Sequence, residues 1–263
     1  ATEQRLANLA TRRDVVLKRD DLTAELLSLW NIHGETDAAA QVLARRKFHP
    51  WEGGEGKVTG QYLINLQYRA LECIANKQLG EAEELLQQAL NYPENLGEGR
   101  LVGQSDNDIW YLLGWCAQQL QQPERAQLYF ERALEGGPTL EAGRYYNDQP
   151  VDYLFYQAMA LVRTGDKDQA QQQFRSFIHW ADAHFNDPSE PDFFAVSLPD
   201  LVALDGDRQA AHHQHCLFVA ALGHLGLGEH SEFEAALKAL LSQNPAHDKA
   251  HLLHLAMQRG VFA

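Results

Sequence analysis

Apolar positions in this chain recur every three or four residues, in blocks that come in pairs, and that period predicts helices throughout. The paired blocks fall at 21–47, broken at Gly34, at 60–90, broken near Asn76 and Lys77, and at 107–135, where Pro123 suits the first turn of a second helix. Two more fall at 151–182, turning at Thr164–Gly165–Asp166, and at 209–243, turning between Gly226 and Glu229. Leu, Ala, Gln and Glu dominate while Val and Ile are scarce, which favours helix over strand. Residues 1–19 read as an N-terminal helix. Residues 246–258 read as a last one, in which His247, Lys249 and Gln258 suit the polar outer face of a terminal cap. The pattern therefore predicts a single helical-repeat domain over 1–263: the N-terminal helix (1–19), about five helix pairs (20–245) and a C-terminal capping segment (246–263).

In the third pair, which starts at Asn107, Trp110, Leu113, Gly114, Ala126, Phe130, Ala133 and Pro138 stand where a tetratricopeptide repeat carries W, LG, A, F, A and P. Small residues at fixed offsets let two antiparallel helices approach closely. The register recurs with Gly34 and Ala39, with Ala82 and Leu86, with Gly165, Ala170 and Phe174, and more loosely with Gly228, Leu237 and Pro245. The unit starts, near 20, 63, 107, 151 and 214, lie 43, 44, 44 and 63 apart by subtraction. A standard unit has about 34 residues, so residues are added each time, between the second helix of one unit and the first helix of the next. The chain thus resembles an all-α, tetratricopeptide-like α-solenoid with long inter-repeat loops on one edge. Stacked units of that kind bind partners rather than transform substrates.

The added segments hold large aromatics among carboxylates and glycines, unlike ordinary short polar spacers. The first carries His49, Trp51, Glu52, Glu55 and Lys57. An indole beside two carboxylates suits a saccharide or a protein contact; Trp51 folding back as an anchor, with Glu52 and Glu55 capping helix N-termini, accounts for the same residues. The second carries Tyr92, Glu94, Asn95, Glu98 and Arg100, ahead of a helix start at which Asp106 or Asn107 accepts first-turn amides. The third carries Arg144, Tyr145, Tyr146 and Asp148, and two adjacent tyrosines cannot both enter one core without a bend. The fourth carries Asp192 and Phe193 before an apolar stretch fit to form an extra helix. On the first helices, which line the concave face of a solenoid, Asp108, Tyr111 and Tyr153 are groove candidates, with Tyr62, Gln67, Tyr68, Asn107, Asp152, Tyr156 and Gln157 beside them.

A formal charge of −14 without a basic stripe argues against nucleic-acid binding. No apolar run is long enough for a membrane span. The 3 cysteines, Cys73, Cys116 and Cys216, sit far apart among apolar neighbours and read as free thiols of a reducing cytoplasm. His247, His251 and His254 share one helix face at a metal-compatible spacing, yet no HExxH or CxxC accompanies them, so a packing face is expected and no metal site is assigned. No P-loop, GxSxG, GxGxxG or kinase motif appears, no EF-hand spacing is present, and no cofactor or catalytic residue is assigned.

The runs FHPWEGGEGKVTGQY, YPENLGEG, YYNDQP, DFFAVSLPDL and the HC…LGLG stretch resemble the C-terminal region of large bacterial proteins of the YphG type. In those proteins a mutarotase-like β-sandwich region of unknown function precedes the repeats. The resemblance implies that this chain, which opens at Ala1 in a helical pattern, is a C-terminal portion of a sugar-related protein. Two functions are then expected to compete. One is a protein-interaction or scaffolding module, itself without catalysis, that binds its upstream domain or a partner through the loop edge and the concave groove. The other is a carbohydrate-binding or carbohydrate-active surface built from the loop aromatics and carboxylates.

Overall fold

A computed structural model describes residues 1–51, 53–101, 103–138, 140, 150–188 and 207–263. Among the described residues every regular element is helical: α1 (Thr2–Ala10), α2 (Arg13–Val16), α3 (Asp20–Ile32), α4 (Thr36–Arg45), α5 (Lys57–Ala75), α6 (Leu79–Ala89), α7 (Asn107–Gln119), α8 (Pro123–Ala133), α9 (Val151–Thr164), α10 (Lys167–His184), α11 (Arg208–Leu227), α12 (His230–Gln243) and α13 (Asp248–Gln258), with a 3₁₀ turn at Glu94–Leu96. The five pairs are α3/α4, α5/α6, α7/α8, α9/α10 and α11/α12. The fold is an all-α solenoid.

The repeat is written into the backbone more regularly than into the side chains. Every pair turns through one residue in the left-handed region: Gly34 (φ 81°), Lys77 (62°), Gln121 (59°), Gly165 (103°) and Gly228 (74°). The amide of the next residue then reaches back to close each first helix: Glu35 to the Trp30 carbonyl, Gln78 to Cys73, Gln122 to Ala117, Asp166 to Leu161 and Glu229 to His224, all at 2.8–2.9 Å. This is the six-to-one closure of a Schellman turn. The five turn positions are 43, 44, 44 and 63 residues apart by subtraction, the same spacings as the sequence register. Three of the five carry glycine; Lys77 and Gln121 hold a conformation that costs an L-residue about 1–2 kcal/mol.

Small residues set how closely the helices approach. A Cβ at Gly114 on α7 would lie 2.6 Å from the Phe130 ring on α8. On α11 a Cβ at Gly226 would lie 2.2 Å from the Phe174 ring, and one at Gly223 would lie 2.7 Å from the Phe174 carbonyl oxygen on α10. Each second helix packs against the first helix of the following unit: α4 on α5, α6 on α7, α8 on α9 and α10 on α11. One apolar core, including Leu71, Leu113, Phe155, Phe174 and Phe233, runs from α5 to the end of the chain. A second core gathers Leu27, Trp30, Leu43, Phe48 and Leu96 around the first unit. The first helices α5 and α11 run to 19 and 20 residues. Each begins six residues before the unit start read from the sequence (63 − 57 and 214 − 208).

The last helix does not simply extend the row. It turns back and packs on α3 and α5, at the opposite end of the array. Lys249, expected on an outward polar face, points inward.

Candidate functional site

The segment from His247 to Phe262 touches all five first helices, so it lies in the trough those helices enclose. The Gln61 Nε2 on α5 donates to Asp248 at 2.6 Å. The His247 ring packs 4.9 Å from Phe218 on α11. Lys249 Nζ lies 2.6 Å from the Asp152 carboxylate on α9 and 5.2 Å from the centre of the Tyr153 ring. Beyond the end of α13, Tyr111 on α7 donates its hydroxyl to the Val261 carbonyl at 2.9 Å, and Arg163 on α9 donates to the Ala263 oxygen at 2.7 Å. The Phe262 ring sits 5.1 Å from Phe155, 5.8 Å from Tyr156 and 6.1 Å from Tyr111, centre to centre.

The electrostatics around Lys249 are one-sided. Asp108 is 1% exposed and Asp152 6% exposed, and both face the Lys249 ammonium. Burial pushes the Asp108 carboxyl up to about 6, with Lys249 opposing the shift and Asp152 and Asp106 adding to it. Burial also opposes the charge on Lys249, but Asp152 and Asp108 outweigh it and hold the ammonium above its ordinary pKa. Gln67 steadies Asp108 through a 3.0 Å donation to Oδ2. Burial raises the Tyr153 and Tyr156 phenols well above their ordinary value, so both stay neutral. The Tyr68 hydroxyl is buried without a hydrogen-bond partner.

Of the groove candidates, Asp108, Tyr111 and Tyr153 thus stand together at the trough, with Asp152 and Tyr156 beside them. Asn107 and Gln157 serve the framework instead. Their side-chain amides donate to backbone oxygens at the C-terminal end of α8, Asn107 to Ala133 and Gln157 to Leu134. The sequence pattern did not single out Gln61, Arg163 or the inward role of Lys249. Nor did it reveal a buried amide ladder in which Asn65 donates to Asn31, and Asn31 to Gln61, at 2.8 and 3.1 Å. Four polar side chains at inward register positions on α3, α5 and α9 were the available signal.

The first two loops lock onto each other. Asn95 donates to the Leu43 and Arg46 carbonyls at 2.7 and 2.8 Å. The Glu98 carboxylate accepts from the Gly56 amide at 3.1 Å and from the Thr59 hydroxyl at 3.1 Å, capping α5 from the neighbouring loop. Arg100 pairs with Asp106, donates to the Leu90 carbonyl at 2.9 Å and lies over the Tyr92 ring, whose hydroxyl accepts from Gln104 at 2.7 Å. Trp51 is half-buried against the first-unit core and lies so close over Gly54 that a Cβ there would fall 1.9 Å from the indole. His49 is exposed, 3.8 Å from Asp20. Glu55, Lys57 and Glu94 are exposed, Lys57 opening α5 and Glu94 the 3₁₀ turn. Glu52, Arg144, Tyr145, Tyr146, Asp148, Asp192 and Phe193 lie outside the described residues.

The three histidines of the last helix have separate partners. His247 Nδ1 accepts from the Ala250 amide at 3.1 Å, His251 Nε2 faces the Pro245 carbonyl at 2.9 Å, and His254 Nε2 lies 3.2 Å from Glu234. Among the described residues no group of three or more His, Cys, Asp or Glu side chains is placed to hold a metal ion, and no helix is long and apolar enough to cross a membrane. Burial pushes the Cys116 thiol up to about 12, which leaves no thiolate at neutral pH.

Two family models, both described as tetratricopeptide repeat, match residues 108–135 and 152–179. Two of the five helix pairs thus match tetratricopeptide repeats. The matched stretches are the α7/α8 and α9/α10 pairs, the two units that supply Asp108, Tyr111, Asp152, Tyr153 and Tyr156 to the trough. The chain is also similar to a solved structure described as YrrB, a TPR protein with an unusual peptide-binding site. That similarity is 15% identity over 98% of this chain and 100% of that one, with a TM-score of 0.32, too loose a likeness to carry a conclusion.

Proposed function

We propose that the chain is a protein-interaction module whose recognition surface is the trough lined by α5, α7 and α9. The observation that carries this reading is that the trough already holds a helical peptide, residues 247–262, through a buried ion pair, an aromatic cluster and donations to backbone oxygens. Those are the means by which stacked helical repeats grip a segment of another protein. A domain elsewhere in the same polypeptide counts as such a partner. The saccharide reading gains nothing from the described loops, because Asn95, Glu98 and Arg100 are engaged by the chain's own backbone and side chains.

The test is a random-peptide display selection on the immobilised chain, followed by hydrogen-exchange footprinting of each enriched peptide. The expected result is enrichment of binders that protect α5, α7 and α9. Enrichment of nothing, or of peptides whose footprint lies wholly outside those helices, removes the reading.

A further inference from the structure

We infer that residues 247–263 are a built-in ligand plugging the trough, and that the partner displacing them is a cationic helical peptide with a lysine or arginine ahead of a phenylalanine, in the order of Lys249 and Phe262. The inference rests on the trough being the interaction surface.

Three structural features support it. The segment is joined to α12 only by Asn244–Ala246, so it can leave the trough without pulling a helix pair apart. Its hold is of a kind that a peptide from elsewhere can copy: a cation on Asp152, an aromatic ring on Phe155 and Tyr156, and backbone oxygens for Tyr111 and Arg163. Its fit is incomplete. The trough presents two buried carboxylates, Asp108 and Asp152, to the single ammonium of Lys249, and the segment brings a further carboxylate, Asp248, while leaving the Tyr68 hydroxyl unpartnered. A peptide with more positive charge and an acceptor near Tyr68 complements this surface better than the plug does.

A tethered plug competes as if present at millimolar concentration, and an outside peptide binds with an affinity reduced by the fraction of time the trough is open. Weakening the plug therefore strengthens binding from outside. The probe is a fluorescein-labelled synthetic peptide copying residues 245–263, read by anisotropy against the full chain. The wild-type chain is expected to bind it weakly, Phe262→Ala about ten-fold more tightly, and the Phe262→Ala/Asp152→Asn double variant to lose that gain. A scrambled peptide of the same composition should not bind. Hydrogen exchange in α13 should quicken in Phe262→Ala while α5 to α10 keep their protection.

A folded Phe262→Ala chain with no gain overturns the inference. So does a Phe262→Ala chain that no longer folds, because the segment would then be part of the framework. Display-selected peptides that bind the intact chain without releasing α13 sink the plug and leave the interaction module standing; if no peptide binds at all, both fall.

Discussion

Lys249→Met tests the buried ion cluster directly. Methionine keeps the length of the stem and removes only the ammonium, so packing changes little. What remains is Asp152 at 6% exposure and Asp108 at 1%, side by side without their cation. Breaking a buried pair costs about 3–5 kcal/mol, but the Lys249 side chain keeps 28% of its exposure and some water already reaches it. We therefore expect a loss of about 2–3 kcal/mol at pH 8, read by urea denaturation followed at 222 nm. The pH dependence carries the sharper information. Without the ammonium Asp108 loses a charge that holds its pKa down, and protonating it in the folded state relieves the repulsion, so the deficit should shrink as pH falls toward 5. A cycle with Asp152→Asn should show coupling of about 1–3 kcal/mol. A deficit below about 1 kcal/mol that is flat with pH, or no coupling to Asp152, would refute the assignment of Lys249 as the counter-ion of the trough.

Asp108→Asn should flatten the pH profile of stability. The wild-type carboxyl titrates at about 6 when folded against an ordinary 3.8. Its stabilising share is thus complete below the ordinary value and is lost as pH rises through about 6, roughly 3 kcal/mol at 1.36 kcal/mol per unit. Urea titrations at pH 4.5, 6 and 7.5 check this against the variant. Lys77→Gly relieves a left-handed lysine in the second turn, and thermal denaturation should show a gain of about 0.5–1 kcal/mol after the extra backbone entropy of glycine. Glu98→Ala removes the cap that one loop places on α5, and should cost about 1 kcal/mol and speed hydrogen exchange at Gly56 and its neighbours.

The helix pairs were legible because each unit must bury one stripe against its neighbour, and the stripe repeats with the period of the helix. Gly34, Gly165 and Gly228 marked three turns outright. The second turn was placed near Asn76 and Lys77 and the third just before Pro123, though nothing about a lysine or a glutamine announces the left-handed region. The first residues of α5, read from the sequence as starting at 60, were missed for a related reason. Lys57–Tyr62 sits within a glycine-rich stretch whose helical state depends on a cap, Glu98, supplied 42 residues along the chain. Asn95 and Glu98 were read as candidate binding residues of the second loop, and both instead hold the segments around the first. Asp108, Tyr111 and Tyr153 were placed on the inner helices by register alone. What fills the space in front of them was beyond reach, because periodicity says which face of a helix is apolar and not which distant surface it meets. Lys249 shows the limit: on a short helix of mixed polarity it suits an outer face as well as an acidic trough.

The return of α13 to the beginning of the array also bears on how the chain is made. A row of repeats can ordinarily gain structure unit by unit as it leaves the ribosome, each hairpin settling on the one before. Here Gln61 waits for Asp248, 187 residues later, and Tyr111 waits for Val261, 150 residues later. Until residues 247–262 emerge, the acidic inner channel stands open to solvent and to any basic segment nearby.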